Sequence, residues 1–481
     1  MKPLRRLILA LAAALPCLAQ PAEAEEITVL GINDMHAALD NMPRLATLVK
    51  RERTRDPQAL LLSAGDNRTG NPYSDMAPRT GWPVVALMNY MEFNLSALGN
   101  HSFDNGMDPL RDLIDSAEFR VVCANAYAAD KSRILTQPYR IFERKGVRIG
   151  VLGLLQIGAN GMPDTLPEKM KGFTFRDPFA VAQEYKWLRE RCDVLILLTH
   201  LGFEDDVELA RQCPWADAIV GGHSHTVVDG AHTEGGVMVT QAGCNATRLT
   251  RITFDVQNGR VVSKHAELLS AATCEPDAEA DAMVQQFKND PALNEQIAEC
   301  ASELTARDEL GCLFTDAVRE ATGADIAIVN IGAIRLNSFP AGPIRLCDIF
   351  RLDPFGNDTV LYTLTGEELR ALVAAIPLID HHGAPSVSGM SYRATLHKGN
   401  VLDISEMLQA DGKPIDPAKR YTVAVPTFVA ASARFPHADP GRALHRPGRE
   451  CLIRLLRERK RVDYAGTRRA RVTRDADAQR D

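Results

Sequence analysis

Five apolar, strand-like runs in the first half of this chain each stop abruptly at a metal-capable side chain. "EITVLGINDMH" ends on Asp34 and His36, "ALLLSAGD" on Asp66 and "LSALGNH" on Asn100. "DVLILLTH" ends on His200, and "DAIVGGHSH" on His223 and His225. In an extended chain residues i and i+2 point the same way, so Asp34 with His36, and His223 with His225, can each converge on one centre. Gly65, Gly99, Gly221 and Gly222 let the backbone turn tightly at these ends without a Cβ clash. Taken singly, each motif reads as an ordinary loop; seven such side chains at the ends of five strands read as one metal centre. Imidazole, carboxylate and amide oxygen suit Zn²⁺, Mn²⁺ or Fe²⁺ better than Ca²⁺ or a thiolate-seeking ion.

Further apolar runs, "VRIGVLGLL" and "VMVTQAG", alternate with helix-like segments such as "MPRLATLVKRERTR" and "PFAVAQEYKWLRERC". The alternation predicts an α/β fold of layered sheets with helices outside. A chain of 481 residues exceeds one core, so two domains are expected. The first is placed at residues 25–270. The Glu/Asp/Ala/Gln-rich stretch after it shows no strand character and reads as a helical linker over 271–298, with a hinge near 275–300. A second α/β unit, residues 299–465, contains "LFTDAVREAT", "ADIAIVN", "TGEELRALVAAI" and "RYTVAVPTFVAA"; a charged tail, 466–481, is expected to fray.

Residues 1–24 have the parts of a secretory signal: Lys2, Arg5 and Arg6, an apolar Leu7–Leu15, and "AEA" ending at Ala24. A periplasmic or secreted location follows as the expectation. The apolar stretch is too short to span a bilayer, so no membrane insertion is expected. Cleavage removes three positive charges and Glu23, taking the net charge from −7 to −9. With no long basic run, neither a nucleic-acid polymer nor an anionic lipid surface is an expected partner. Ten cysteines less Cys17 leave nine, scattered and without a CxxC, so zinc-ribbon and thioredoxin-type sites are excluded and at least one thiol stays unpaired within the chain.

The series "NDMH…GD…GNHSFD…LLTH…GGHSH" closely resembles the calcineurin-like metallophosphoesterases. The later motifs "NIGAIR…PFGND…LTGEEL" resemble the C-terminal domain of the 5′-nucleotidase family, so that the likeness spans about residues 27–440. It implies a metallophosphatase αββα sandwich followed by a second α/β, substrate-binding domain. It also implies two divalent ions, with Asp34, His36 and His225 on one, Asn100, His200 and His223 on the other, and Asp66 bridging. His101 would stabilise the phosphoryl transition state or protonate the leaving oxygen, with Asp104 holding its other ring nitrogen. In the second domain, Asn330 and Arg335 of "NIGAIR" would contact substrate, and Arg335 would take the phosphate because a planar fork engages its oxygens in pairs. Arg307 of "RDELGC" is a further phosphate-contact candidate. Phe355 and Phe428 would sandwich a nucleobase.

The family's "GGDG" loop is absent: "AASARFP" puts Arg434 where an Asp should receive the ribose hydroxyls, and an arginine has no acceptor to offer. A more anionic substrate is the expectation at that position. Ala37 and Ser102 replace the Gly and Glu that usually follow the two histidines. The reading overall is an exported phosphoesterase acting on nucleotide-type phosphate esters, 5′-nucleotidase-like. The alternatives are a 2′,3′-cyclic phosphodiesterase, a UDP-sugar hydrolase or a thiosulfohydrolase of the same superfamily. A rival of another class is a non-catalytic periplasmic protein that holds nucleotide or metal; the presence of both His101 and Asp104 argues against it.

Overall fold

The apolar runs of the first half are buried on both faces and stack into two parallel-cored sheets. The computed structural model describes residues 24–128, 136–158, 160–380 and 382–475; the expected signal segment, apart from Ala24, lies outside them. In the first sheet, strand Glu25–Ile32 lies parallel to Leu60–Ser63, which pairs with Leu95–Ala97 and that with Arg120–Val122. The hairpin Arg248–Gln257 and Arg260–Ser270 extends it on the antiparallel side, giving six strands. In the second six-stranded sheet, Val194–His200 runs parallel to both Val147–Leu155 and Ala218–Val220. Val29, Leu62 and Leu95 from the first sheet meet Val151, Ile196 and Leu198 from the second in one core between them.

Helices cover the outer faces, completing an αββα sandwich. Helix Met42–Arg55 buries Leu45, Leu48, Val49 and Glu52, a stripe at helical spacing, and lies on the first sheet. Helix Phe203–Gln212 covers the second sheet through Leu209 and Ala210. The second domain has a mixed five-stranded sheet in the order Ser386–Ser388, Ile326–Val329, Arg420–Pro426, Asp358–Thr365, Arg442–Pro447. Helices Arg307–Thr322 and Gly448–Arg459 pack on one face. Helix Gly366–Asp380 and the three-stranded sheet of Met390–Leu396, Leu402–Gln409 and Ala470–Arg474 pack on the other.

Three local expectations need correction. The segment over 271–298 is helical only at Ala278–Lys288, and that helix is packed into the first domain's core through Ala280 and Val284. The stretch read as lacking strand character supplies strand Gln296–Cys300, which pairs with Gly342–Arg345. Its Ile297, Ala298 and Cys300 are buried, so long-range packing overrode a polar local composition. The tail is not wholly frayed either: Ala470–Arg474 pairs in parallel with Met390–Leu396, although residues 476–481 lie outside the described set. All nine described cysteines are unpaired, and all but Cys244 are buried. No helix among the described residues is long and apolar enough to cross a membrane.

Candidate metal centre and substrate cleft

Asp34, Asp66, Asn100, His200 and His223 all sit at or just past the C-terminal ends of parallel strands, and the two sheets bring those ends to one rim. Ligand atoms of Asp34, His36 and His225 lie within 4.8 Å of one another, as do those of Asp66, His200 and His223. Asn100 Oδ1 joins the second group, 3.1 Å from both His200 Nε2 and His223 Nδ1. Asp66 Oδ2 is 3.0 Å from His200 Nε2. Asp66 also falls in a third set with His36 and His101, which places it between the two groups.

This donor set fits divalent ions. His36 Nδ1 lies 3.2 Å from the Thr69 carbonyl and His200 Nδ1 lies 2.8 Å from that of Ala64. A carbonyl only accepts, so both Nδ1 atoms carry a proton, and Nε2 is the ring nitrogen that each turns to the cluster. His36 Nε2 and His225 Nε2 then face each other at 2.9 Å. Asp34 Oδ1 is fully buried with no hydrogen-bond partner, at 3.5 Å from His225 Nε2 and 3.8 Å from His36 Nε2. Converging ring nitrogens and an unpartnered buried carboxylate oxygen are what a cation satisfies.

The backbone supports the same reading. Asp34, His36, Asp66, His223 and His225 all have positive φ, from 46° to 82°. This region is sparsely populated by non-glycine residues, and such strain clusters at functional sites. Ala37, where the family has Gly, also sits at φ 49°. At Gly99 the demand is for space instead: a Cβ there would lie 2.0 Å from Asp66 Oδ1.

Charge within the cluster is coupled. Burial is the largest single influence and would raise the Asp34 and Asp66 carboxyls, but His200 together with His225 at Asp34, and with His101 and His36 at Asp66, outweighs it and both stay well below the usual carboxylate range. Burial opposes protonation of His200 and His225, yet Asp66 and Asp34 lift His200 to about 9, and Asp34 with Cys244 lifts His225 to about 10. His223 goes the other way, to about 4, through burial and the adjacent His200. His101 Nδ1 lies 2.8 Å from Asp104 Oδ2, and Asp104 Oδ1 accepts from Thr165 Oγ1 at 2.7 Å. Burial works against a charged His101, but Asp104 and Asp66 more than compensate and raise it.

The second domain closes over this rim. Its Phe355 ring stacks on His101, with centroids 5.6 Å apart and planes at 23°. Arg335 Cζ lies 5.7 Å from the centre of the same ring. Its charge is felt by Asp66 and Asp104, although burial depresses its pKa overall. Together the two domains enclose a cleft of about 800 Å³ lined by Asp66, Asn100, His101, Asn330, Arg335, Phe355 and Phe428, among others. Asn330 donates to Asp380 Oδ1 at 2.8 Å, leaving its own carbonyl oxygen buried and unpartnered.

Two expected contacts are absent from the cleft lining, although Arg307 is near enough for Arg335 and Asp380 to act on its charge. Arg434 is exposed, with a single side-chain bond of 3.4 Å to the Ala431 carbonyl, and does not line the cleft. The turn after helix Thr427–Ser432 directs it outward. Arg307 also lies off the cleft lining, donating to Asn337 Oδ1 at 3.1 Å. Sequence reasoning missed Asp164, Thr165, His382 and Arg449, all of which line the cleft. They sit in loops or at a helix start with no strand-end signature, and nothing local distinguishes them.

Comparison with known proteins agrees with this geometry. Residues 27–227 match the sequence model of the calcineurin-like phosphoesterases, and residues 284–438 that of the 5′-nucleotidase C-terminal domain. The chain is 29% identical to the trifunctional nucleotide phosphoesterase YfkN of Bacillus subtilis (strain 168) over 84% of its own length, but spans only 32% of that protein. It is 29% identical to UshA of Escherichia coli (strain K12), covering 86% of this chain and 87% of UshA. A 5′-nucleotidase precursor from Thermus thermophilus superposes with a TM-score of 0.79 at 26% identity, over 93% of this chain and 99% of the other. With both domains matched in order, the chain is built from a calcineurin-like phosphoesterase domain followed by a 5′-nucleotidase C-terminal domain.

Proposed function

We propose that the protein is an exported, metal-dependent phosphoesterase that hydrolyses nucleotide-type phosphate esters. The observation that carries this reading is the meeting of Arg335 and Phe355 from one domain with the His101–Asp66 region of the other. It joins a phosphate-binding fork and an aromatic face to a hydrolytic cluster. Export rests on the signal-like residues 1–24.

Asp34, His36 and His225 would hold one divalent ion, Asn100, His200 and His223 a second, with Asp66 shared. Such ions would acidify a water and draw charge from the phosphoryl oxygens. Arg335 has no hydrogen-bond or ion-pair partner for its guanidinium among the described residues, leaving its fork available to two phosphate oxygens. Asp104 accepts the Nδ1 proton of His101, which orients the ring and favours its cationic form. The Nε2–H is then directed into the cleft, 4.0 Å from Asp66 Oδ2, where it can stabilise the developing charge or supply the leaving oxygen's proton. Phe355, stacked on the ring, keeps solvent off that face and offers its own face to a base.

The test is initial-rate assay of the Mn²⁺-reconstituted protein on AMP, UDP-glucose, 2′,3′-cyclic AMP and a thiosulfonate conjugate, with Asp66→Ala as control. AMP should rank first and the control should lose at least ~100-fold in rate. Turnover of only the thiosulfonate conjugate, or none of the four esters, refutes the proposal.

A further inference from the structure

The cleft contains a second arginine that the hydrolytic reaction does not use. Arg449 lies at the start of helix Gly448–Arg459, beyond residue 438 where the match to the 5′-nucleotidase domain stops. Contacts step outward from the metal rim to reach it: His101 stacks on Phe355, Gly356 follows in the chain, and the Arg449 guanidinium packs on Gly356. A Cβ at residue 356 would lie 2.6 Å from Arg449 Cζ, so glycine is needed there for so close an approach. The guanidinium also lies over the Phe350 ring, 4.6 Å from the centroid. It thus touches a ring and a backbone, is half-buried, and makes no hydrogen bond or ion pair with any described residue.

The surroundings select its partner. Phe350, Phe355, Asn357 and Phe428 line the cleft near it, and none is acidic. Asp353 lies beneath at 2% exposure and is not part of the lining. The acidic lining side chains belong to the first domain, apart from Asp380, which is engaged by Asn330 and the Gly332 N–H. A guanidinium offers five donors and no acceptor, and its planar fork matches a phosphate in two parallel bonds. Asp353 feels the charge of Arg449 but makes no hydrogen bond or ion pair with it, so the donors of a cation in an aromatic-walled cleft favour an anionic group placed beyond the aromatic contact.

We propose that Arg449 anchors a second phosphate on the substrate, so that the preferred ligand is a nucleoside bisphosphate, with one phosphate at Arg335 and the metal rim and the other at Arg449. This rests on the reading of the cleft as a nucleotide site. The test is the affinity ratio of adenosine 3′,5′-bisphosphate to AMP on Mn²⁺-loaded protein, read as KM under turnover and as calorimetric Kd where neither is hydrolysed. Wild type should favour the bisphosphate at least ~10-fold; Arg449→Gln should bring the ratio close to one, and Arg449→Lys should retain part of it. A ratio near one in wild type, or an unchanged ratio in Arg449→Gln, overturns the proposal. A purely structural Arg449 would move both affinities together and give that second result, as would an arginine that reads only a base carbonyl. If neither ester is hydrolysed but the ratio responds to Arg449 as expected, the phosphoesterase reading fails while this inference stands.

Discussion

Gly99→Ala isolates what close approach contributes to the metal centre. The backbone at residue 99 has φ −112° and ψ 175°, an extended conformation any residue adopts, so alanine brings no dihedral strain. Its Cβ would lie 2.0 Å from Asp66 Oδ1, 2.7 Å from Cγ and 2.6 Å from the Asp66 N. Restoring ordinary contact at ~3.4 Å needs a relative shift of more than ~1 Å, and the backbone nitrogen cannot rotate away as a flexible side chain could. Metal–carboxylate bonds are ~2.0–2.2 Å long with a tolerance of ~0.2 Å, so a shift of ~1 Å takes Asp66 out of coordination reach. Misorienting a supporting partner of a ligand already costs ~10–100-fold in metal affinity, and losing the shared ligand should cost at least ~100-fold. Overpacking of this kind also costs ~1–3 kcal/mol of stability. Calorimetric titration of chelator-stripped protein with Mn²⁺ or Zn²⁺, beside a thermal melt, measures both. If Gly99→Ala takes up two ions per chain with wild-type affinity, the role assigned to Asp66 is wrong.

Asp104→Asn should lower kcat by ~10²-fold with little change in KM, because an amide cannot favour the cationic imidazole; equal kcat and an unshifted pH–rate profile would contradict it. Phe355→Ala should raise KM for AMP by ~10-fold or more, the loss of ~1–3 kcal/mol of stacking, yet leave glycerol 2-phosphate nearly unaffected; parallel losses on both would show the ring serves the metal rim alone. Asp353 is pushed up to about 6 by burial, against the opposing charge of Arg449. Its unfolded value is ~3.9, so the stability it contributes is present below pH ~4 and lost as pH rises through about 6, by at most ~3 kcal/mol. Melts of Asp353→Asn against wild type should therefore diverge in the variant's favour between pH ~4 and ~7, and parallel curves would refute the assignment.

Strand and turn chemistry made much of the site readable before any fold was known. Val, Ile and Leu runs broken by Gly, Asp, Asn and His locate the ends of parallel strands, because burial on both faces demands apolar residues and a tight exit demands glycine. The failures have equally local causes. "QIAEC" is a short apolar run inside a polar stretch and became a strand through pairing with Gly342–Arg345 and Arg461–Val462, which lie far along the chain. Arg434 was placed by motif register, but its side chain is turned to solvent. Arg449 carries no strand-end or glycine-loop signature and entered the cleft because its helix starts beside Gly356.

Which side chains could serve as ligands, and that they close apolar strands, follows from patterns a few residues long and is readable without a fold. That His36 and His225, 189 residues apart, face each other at 2.9 Å, and that Phe355 covers His101, is legible only in the folded molecule. Such neighbours are fixed by the order of strands in two sheets and by the docking of one domain on another. Those arrangements are set by long-range burial, and no short stretch of chain encodes it.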